Sequence, residues 1–255
     1  MIGIGLGIPG TARRLSAPAF SPASLLPFAW YRDEIVSSGG LITQWTDKSG
    51  GGRHLTATAA NRPTLATAVA EFGGKDAVDF SIVVTAGLEA TTTVAADWTF
   101  LHDATGGTIW LLARRTVTAL GWLINTQGSS QAGRGVSVIG DYPSAGKYRY
   151  AVGDGTTAST LDCTCLDGTG RLYEAQYATQ AGDDQRVFEG ATEIGTTAGL
   201  ASPSGSAPAS RLIVGNYTGL VNSFQGQVAE LLIFNRLLTT GERASLAAYK
   251  TARYG

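Results

Sequence analysis

Charged side chains are scarce in this sequence. Asp, Glu, Lys and Arg make up 15% of the residues, whereas soluble domains usually carry about 25%. The two signs nearly cancel, with a formal net charge of −1. Nucleic-acid binding requires a basic patch, and no glycine run ends in the Gly-Lys-Ser/Thr sequence that cradles a phosphate group. The composition therefore predicts no nucleic-acid partner and no nucleotide site.

Cysteine and histidine are also rare, with two residues of each. Cys163 and Cys165 lie two apart in a segment of strand character, where a disulfide between them would be badly strained. A metal site would need more ligands, and His54 and His102 are the only histidines. We expect free thiols, no metal ligation by these residues, and synthesis in a reducing compartment.

Long apolar runs are missing as well. No stretch approaches the roughly 20 apolar residues of a membrane span. Residues 1–9 are apolar in part but have no basic segment before them, which a standard signal peptide requires. We expect neither membrane insertion nor a standard leader.

Glycine is abundant, with 34 residues, and it marks turns between short apolar segments. Segments of strand character recur about every ten residues, a spacing typical of two antiparallel sheets packed as a sandwich. Trp30, Trp45, Trp98 and Trp110 are assigned to its core. The predicted strands are 28–31, 41–46, 75–80, 98–102, 107–115, 120–126, 134–140, 147–153, 171–177, 185–189, 211–216 and 227–235.

The C-terminal end predicts one closing helix over residues 240–253. Thr239 and Glu242 have the spacing of a capping box, and apolar side chains then repeat at helical spacing: Leu246, Tyr249 and Ala252. Within the preceding apolar strand, Glu230 is expected to be a paired structural acid, with Arg236 as its partner.

Several motifs follow one another in the order typical of one family. They are the Trp-x-Asp-x-Ser-Gly turn of residues 45–50, the segments 53–55, 61–65 and 74–80, and the closing helix with its Ala-Arg-Tyr-Gly ending. Over residues 27–255 the chain resembles a laminin-G-like domain of the concanavalin A-like lectin/glucanase superfamily. The resemblance implies an all-β fold: a two-sheet antiparallel jelly-roll sandwich with one C-terminal helix.

Residues 1–26 are expected to form an extended N-terminal arm ahead of this domain. Ile2, Ile4, Leu6 and Ile8 alternate with glycine, so a strand of this sequence would have one apolar face. Such a strand could add to the edge of a sheet in the same chain or in another. We interpret these four residues as an assembly arm, with a frayed terminus as the alternative.

The resemblance raises the question of catalysis, because some superfamily members are glucanases. Those enzymes take two carboxyl groups from a Glu-x-Asp-x-x-Glu strand, and retaining hydrolysis needs them about 5–5.5 Å apart. Here no glutamate has an aspartate two positions later, and neither histidine lies near a Gly-x-Ser-x-Gly elbow. We expect no catalytic residues and no enzymatic activity.

Relatives of this kind often bind calcium at the rim of the sandwich, through oxygen ligands. The candidate ligands are Asp47, Asp79, Asp154, Asp162 and Asp167. Because no dense acidic loop is present, we expect these side chains to cap turns and expect no cofactor. A structural Ca²⁺ is the alternative.

Carbohydrate binding would use aromatic platforms and polar groups near strand ends. The candidates are Trp122, Tyr142, Tyr148, Tyr150, Asn216 and Tyr217. Packing in the core or between subunits is the alternative for the aromatic ones.

Residues 98–103 and 106–110 are similar to variants found in phage and prophage proteins. This resemblance implies a non-enzymatic bacteriophage virion structural protein, either a capsid decoration protein or a tail fibre or baseplate component, assembled in the cytoplasm of the bacterial host. Its expected partners are other virion proteins, further copies of the chain and host surface polysaccharide. The alternative is a bacterial carbohydrate-binding module.

Overall fold

The computed structural model describes residues 20–57, 59–164, 171–177, 184–200, 203–219 and 222–255. The residues of the predicted assembly arm, Ile2, Ile4, Leu6 and Ile8, therefore lie outside the described residues. So do Cys165 and the calcium candidate Asp167.

Sixteen strands and one α-helix make up most of the described chain. The strands are β1 (Ala29–Ser38), β2 (Leu41–Asp47), β3 (Leu55–Thr56), β4 (Thr64–Val69), β5 (Lys75–Asp79), β6 (Leu88–Glu89), β7 (Gly107–Arg115), β8 (Gly121–Asn125), β9 (Gly135–Gly140), β10 (Lys147–Gly153), β11 (Ala158–Thr164), β12 (Arg171–Tyr177), β13 (Asp184–Glu189), β14 (Thr192–Ala198), β15 (Ile213–Val214) and β16 (Gly226–Phe234). The helix is α1 (Thr240–Tyr254), and short 3-10 helices span Pro22–Leu25, Ala59–Asn61, Ala70–Phe72 and Ala95–Leu101.

The strands form one antiparallel hydrogen-bonded path that folds back on itself. The order is β11-β10-β9-β8-β15-β6-β3-β2-β4-β5-β16-β7-β12-β13-β14, and β1 pairs with both β16 and β2. The two ends of this path meet, because the Ser159 hydroxyl of β11 donates to the Ala198 carbonyl of β14 at 2.6 Å. The result is the predicted mostly-β, sandwich-like fold with a C-terminal helix. Its jelly-roll connectivity stays a prediction.

The main core lies between the two halves of the folded sheet. A continuous buried cluster takes side chains from β2, β7, β8, β9 and β16, among them Trp45, Leu111, Leu123, Val138 and Leu231. Each large apolar side chain buried in this way contributes roughly 1.5–3 kcal/mol. The burial of Trp45 and Trp98 here, and of Trp30 and Trp110 in a second cluster, confirms the prediction that all four fill the core.

The second cluster lies where α1 packs on the outer face of β7 and β16. Leu246 of α1 is fully buried beside Trp110, Leu232 and Phe234. Both faces of β16 are therefore covered, which explains its nearly continuous apolar sequence. In the described part of the chain α1 is the only α-helix, and no helix there has the length and apolarity to cross a membrane.

The start of α1 is held by the predicted capping box. The Thr239 amide donates to the Glu242 carboxylate at 2.8 Å, and the Glu242 amide donates to the Thr239 hydroxyl at 3.3 Å. Arg236 makes two bonds to Glu242, at 2.9 and 2.8 Å. The expected Arg236–Glu230 pair is wrong, because Arg236 lies beyond the end of β16, next to the helix start. Ala252, expected on the packed face, is exposed.

Glu230 instead accepts hydrogen bonds from neutral donors. Trp30 Nε1 donates to its carboxylate at 2.6 Å, the Tyr254 hydroxyl at 2.8 Å, and the Tyr249 hydroxyl at 3.0 and 3.1 Å. Burial raises the pKa of the Glu230 carboxyl, while the bonds from Tyr254 and Trp30 act in the opposite direction. This network ties β1, β16 and α1 together.

The described end of the predicted arm lies on this side of the molecule. The Phe20 ring is 6.4 Å from that of Tyr249, Leu25 packs against the second cluster, and Arg236 donates to the Leu25 carbonyl at 3.1 Å. Residues 20–25 are thus in contact with the helical face. The extended arm itself stays a prediction.

The predicted strand at 98–102 is wrong. Residues Ala95–Leu101 form a 3-10 helix, in which the Val94 amide donates to the Asp97 carboxylate at 2.9 Å. Trp98, Phe100 and Leu101 are buried. The alternation of Trp98 and Phe100 imitates a strand, but the Asp97 carboxylate stabilises a helical turn.

Replacing Glu230 with leucine should destabilise the fold. We expect Glu230→Leu to lower the free energy of unfolding by about 3–5 kcal/mol, because the buried Trp30 and Tyr254 donors and the half-buried Tyr249 hydroxyl lose their acceptor. Glu230→Gln keeps one acceptor oxygen and should lose less. Urea unfolding followed by tryptophan fluorescence measures both. A leucine variant as stable as the wild type would contradict the structural role of the carboxylate.

Glu242 should stabilise the fold in a pH-dependent way. The hydrogen bonds from Arg236, followed by those from Thr239, lower the pKa of Glu242 from 4.5 to about 2. Because the folded pKa is depressed, the stabilisation is present above about pH 4.5 and is lost as the pH falls towards 2.

We therefore expect Glu242→Gln to cost about 1 kcal/mol at pH 7 and almost nothing at pH 2. Urea titrations at both pH values measure the difference from wild type. Glu193→Gln, which removes an exposed carboxylate 3.7 Å from Arg186, is the control. A Glu242→Gln cost that is the same at both pH values would exclude this mechanism.

Candidate functional site

A row of side chains crosses the outer face of the sheet, away from the main core. Across β3, β6, β15 and β8 the paired residues are Thr56 with Glu89, Glu89 with Ile213, and Ile213 with Asn125. Residues directly opposite each other on antiparallel strands share one face. The next residues along these strands belong to the main core: Leu55, Leu88, Val214 and Ile124.

A pocket of about 290 Å³ lies over this row. Thr56, Glu89 and Ile213 line it from the sheet, while Ser210 and Tyr217 line it from the segments before and after β15. Small-molecule sites typically measure about 300–1,000 Å³. The pocket therefore has room for one small polar molecule.

Tyr217 forms an aromatic wall of the pocket. Its side chain is half-buried, and its ring centroid lies 5.1 Å from that of Trp122, with 37° between the ring planes. Trp122 is only 7% exposed. Trp122 thus supports the Tyr217 ring from behind, and Tyr217 is the residue of this pair that lines the pocket.

The turn that presents Tyr217 depends on Gly215 and Asn216. Gly215 has a φ of +81°, and a Cβ atom there would lie 2.0 Å from the Phe80 ring, so only glycine fits. Asn216 is fully buried. Its amide nitrogen donates to the Val84 and Ala86 carbonyls at 3.2 and 3.0 Å.

The carbonyl oxygen of the Asn216 side chain is used as well. It accepts from the backbone amides of Tyr217 at 2.9 Å and Asn222 at 3.3 Å. Asn216 therefore positions Tyr217 and is not free to contact a ligand, which corrects its expected role as a sugar-contacting residue.

Glu89 gives the pocket its charge. Its carboxylate forms an ion pair with Arg211, and the two side chains are 40% and 37% exposed, so both reach solvent. Arg211 also donates to the Thr91 carbonyl at 3.4 Å, and the Thr56 and Thr91 hydroxyls are 2.7 Å apart. The pocket thus combines a carboxylate, hydroxyl groups and an aromatic ring.

Ser210 adds a further polar group to the wall. Its hydroxyl oxygen is buried and has no hydrogen-bond partner among the described residues. A buried hydroxyl without a partner is costly, and because this oxygen is not accessible, a molecule in the pocket would reach it only after the Ser210 side chain had turned.

Two tyrosines of the predicted site lie elsewhere. Tyr148 and Tyr150, on β10, are 4% and 3% exposed and belong to the main core. Because both side chains are buried, they are not available to contact a sugar, and their predicted role is corrected to core packing. Side chains that alternate along a strand can face either the core or a ligand. The sequence pattern alone therefore could not show which of these two sides Tyr148 and Tyr150 are on.

Tyr142 does not line the pocket either. It is half-buried, and the guanidinium carbon of Arg149 lies 4.5 Å from its ring centroid. Arg149 is held in turn by Asp162, at 2.7 and 2.8 Å, and this bond raises the pKa of Arg149. The structure therefore brings together Trp122, Asn216 and Tyr217 and leaves Tyr142 apart.

Three of the acidic residues considered for calcium, Asp47, Asp79 and Asp154, hold turns, whereas Asp162 is paired with Arg149. Asp47 accepts from the backbone amides of Ser49 and Arg53, at 2.9 and 3.0 Å, and Asp154 accepts from those of Thr156 and Thr157, both at 2.7 Å. These bonds confirm the predicted turn-capping role of the two aspartates. Among the described residues, no three His, Cys, Asp or Glu side chains are grouped so as to hold a metal ion.

Sequence reasoning missed Glu89, Arg211 and Ser210. β6 and β15 are two residues long, too short for any periodic pattern. The one available signal is the opposite charge of Glu89 and Arg211, each beside a short apolar segment. Their pairing depends on register between distant parts of the chain.

No family model matches the chain, and no curated protein matches it. Among solved structures, the chain is similar to Trypanosoma rangeli sialidase in complex with 2,3-difluorosialic acid, with 13% identity and a TM-score of 0.57 over 88% of this chain and 33% of that one. It is also similar to botulinum neurotoxin type C, whose cell entry depends on two ganglioside molecules, with 7% identity and a TM-score of 0.56 over 90% of this chain and 53% of that one.

A third structure is the CBM40 domain of Ruminococcus gnavus IT-sialidase bound to α2,3-sialyllactose, with 16% identity and a TM-score of 0.45 over 57% of this chain and 84% of that one. The chain spans about a third of the length of the sialidase and about half of that of the toxin chain. At these identities the sialidase and the toxin show the fold, a lectin-like β-sandwich.

Removing the Asn216 side chain should loosen the turn behind the pocket. We expect Asn216→Ala to lower the free energy of unfolding by about 2–3 kcal/mol, because the buried Ala86 carbonyl loses its donor and the Tyr217 and Asn222 amides lose their acceptor. Urea unfolding measures this loss. Asn222→Ala, which keeps the backbone amide that bonds to Asn216, is the control and should stay near wild type. Equal effects of the two substitutions would contradict the assignment.

Proposed function

We propose that this chain is a non-catalytic carbohydrate-binding domain that holds one sugar residue in the pocket beside Tyr217. The observation that carries the proposal is the half-buried Tyr217 ring, supported by Trp122 and standing over a pocket lined by hydroxyl and carboxylate groups. The apolar face of a sugar ring packs on an aromatic side chain, and its hydroxyls need convergent polar partners.

The fold favours the same function by analogy alone. The sialidase was determined with a sialic acid derivative, and the toxin depends on gangliosides, so sugars are recognised by proteins that share this architecture. The position of the Tyr217 pocket in this chain supports the proposal independently of that analogy.

The virion role expected from the sequence is a more specific hypothesis than sugar binding. None of the three similar structures named above is a phage protein, and the residues of the proposed assembly arm lie outside the described ones. The comparisons favour the alternative, a carbohydrate-binding module. Display on a phage particle would be compatible with the same pocket.

The absence of catalysis is part of the proposal. Among the described residues that line the pocket, Glu89 is the single carboxylate. Glycoside hydrolysis of the usual kind requires two carboxyl groups that flank the scissile bond. The pocket therefore supports binding better than cleavage.

Removing the aromatic wall should weaken sugar binding. We expect Tyr217→Ala to weaken the affinity for any bound glycan at least about tenfold, because the sugar loses its apolar contact surface. A glycan array with the full chain identifies the ligand, and isothermal titration calorimetry with that ligand compares the variants. Tyr142→Ala, a half-buried tyrosine outside the pocket, is the control and should bind like wild type.

Two outcomes would contradict the proposal: no binding of the full chain to any arrayed glycan, or binding that Tyr217→Ala leaves unchanged. Thermal unfolding of each variant checks that a loss of binding is not a loss of folding.

A further inference from the structure

Among the described residues that line the pocket, none is Lys, Arg or His. The guanidinium of Arg211, the ion-pair partner of Glu89, also donates to the Thr91 carbonyl. An acidic ligand would therefore meet the Glu89 carboxylate without an unpaired cation to offset it.

An ionised carboxylate accepts hydrogen bonds through two oxygens and donates none. Two adjacent hydroxyl groups on a sugar ring match that geometry, because each can donate to one oxygen of Glu89. Glu89 thus offers two acceptor oxygens to a diol, one of which also accepts from Arg211.

We propose that this pocket selects a neutral sugar with two adjacent free hydroxyl groups, held by Glu89, and discriminates against acidic sugars. The inference rests on the proposed function and names the ligand class of the same pocket. Tyr217, which lines the pocket, takes the apolar face of the ring.

Like charges brought together without compensation disfavour binding. A uronic acid differs from its parent hexose by one carboxylate and keeps the ring hydroxyls. The comparison of such a pair therefore isolates charge from shape and needs no variant of the protein.

The test is calorimetric titration of the full chain at pH 7 with methyl glycosides of glucose, galactose and mannose and with the methyl glycosides of the matching uronic acids. We expect at least one neutral glycoside to bind and its uronic acid to bind at least about tenfold more weakly. The 2-deoxy, 3-deoxy and 4-deoxy forms of the bound sugar locate the diol, since loss of either of its hydroxyls should weaken binding about tenfold.

Glu89→Gln tests the carboxylate itself. This substitution should weaken binding of the neutral sugar, because one acceptor is lost. It should also reduce the ratio between the affinities for the neutral and the acidic sugar, because the repulsion from the Glu89 carboxylate disappears. Glu71→Gln is the matched control: it removes a carboxylate that is 38% exposed and ion-paired with Arg114, and that does not line the pocket.

Each outcome separates the two hypotheses. Uronic acids that bind as tightly as their neutral parents, with binding still lost in Tyr217→Ala, would overturn the selectivity and leave sugar binding in place. Neutral binding that Glu89→Gln leaves unchanged would overturn the role of Glu89. Failure of every glycoside and every arrayed glycan to bind would overturn the proposed function together with this inference.

Discussion

The burial of β16 on both faces is the constraint around which this structure is arranged. The strand is hydrogen bonded to β1, β5 and β7, its inward side chains join the main core, and its outward side chains meet α1. A strand covered on both sides can be apolar throughout. Its one charged residue, Glu230, then needs several buried donors, and these come from β1 and α1. The helix is therefore fixed by polar bonds as well as by packing.

The helix α1 and the pocket lie on different parts of the outer face of the sheet. The helix covers the outer face of β7 and β16, whereas the outer face of β3, β6 and β15 carries the polar row with the pocket above it. These three strands are two residues long, so the chain leaves the sheet early and its connecting segments build the walls. Tyr217 lies in such a segment, directly after the turn at Gly215 and Asn216.

Features that depend on neighbours in the sequence could be predicted. The Thr239–Glu242 capping box involves residues three apart, and the predicted bounds of β7 and β10 agree with the structure because each has a long apolar or alternating pattern. Tyr217 could be named because it follows a predicted strand. Features that depend on register could not: Glu89 and Arg211 are 122 residues apart, and no local pattern connects them.

The errors in assigning residues to the site have the same physical cause. Tyr148 and Tyr150 alternate along β10 as residues of a binding face would, but that face is the inner one. Asn216 has the chemistry of a sugar ligand, yet all its hydrogen bonds are used within the protein. Residue type and spacing indicate what a side chain can do, and only its neighbours in the fold decide whether it is available.

The low charge content of the chain bears on how a ligand could reach the pocket. Several of the few charged side chains are joined in ion pairs, such as Arg149 with Asp162, Arg236 with Glu242 and Arg211 with Glu89. Long-range attraction of a ligand requires a field from unpaired charge, and paired charges produce little of it. Under the proposed function, recognition would then depend on contacts made after the sugar arrives: stacking on Tyr217 and hydrogen bonds to Glu89. Such contacts would distinguish sugars by the positions of their hydroxyl groups.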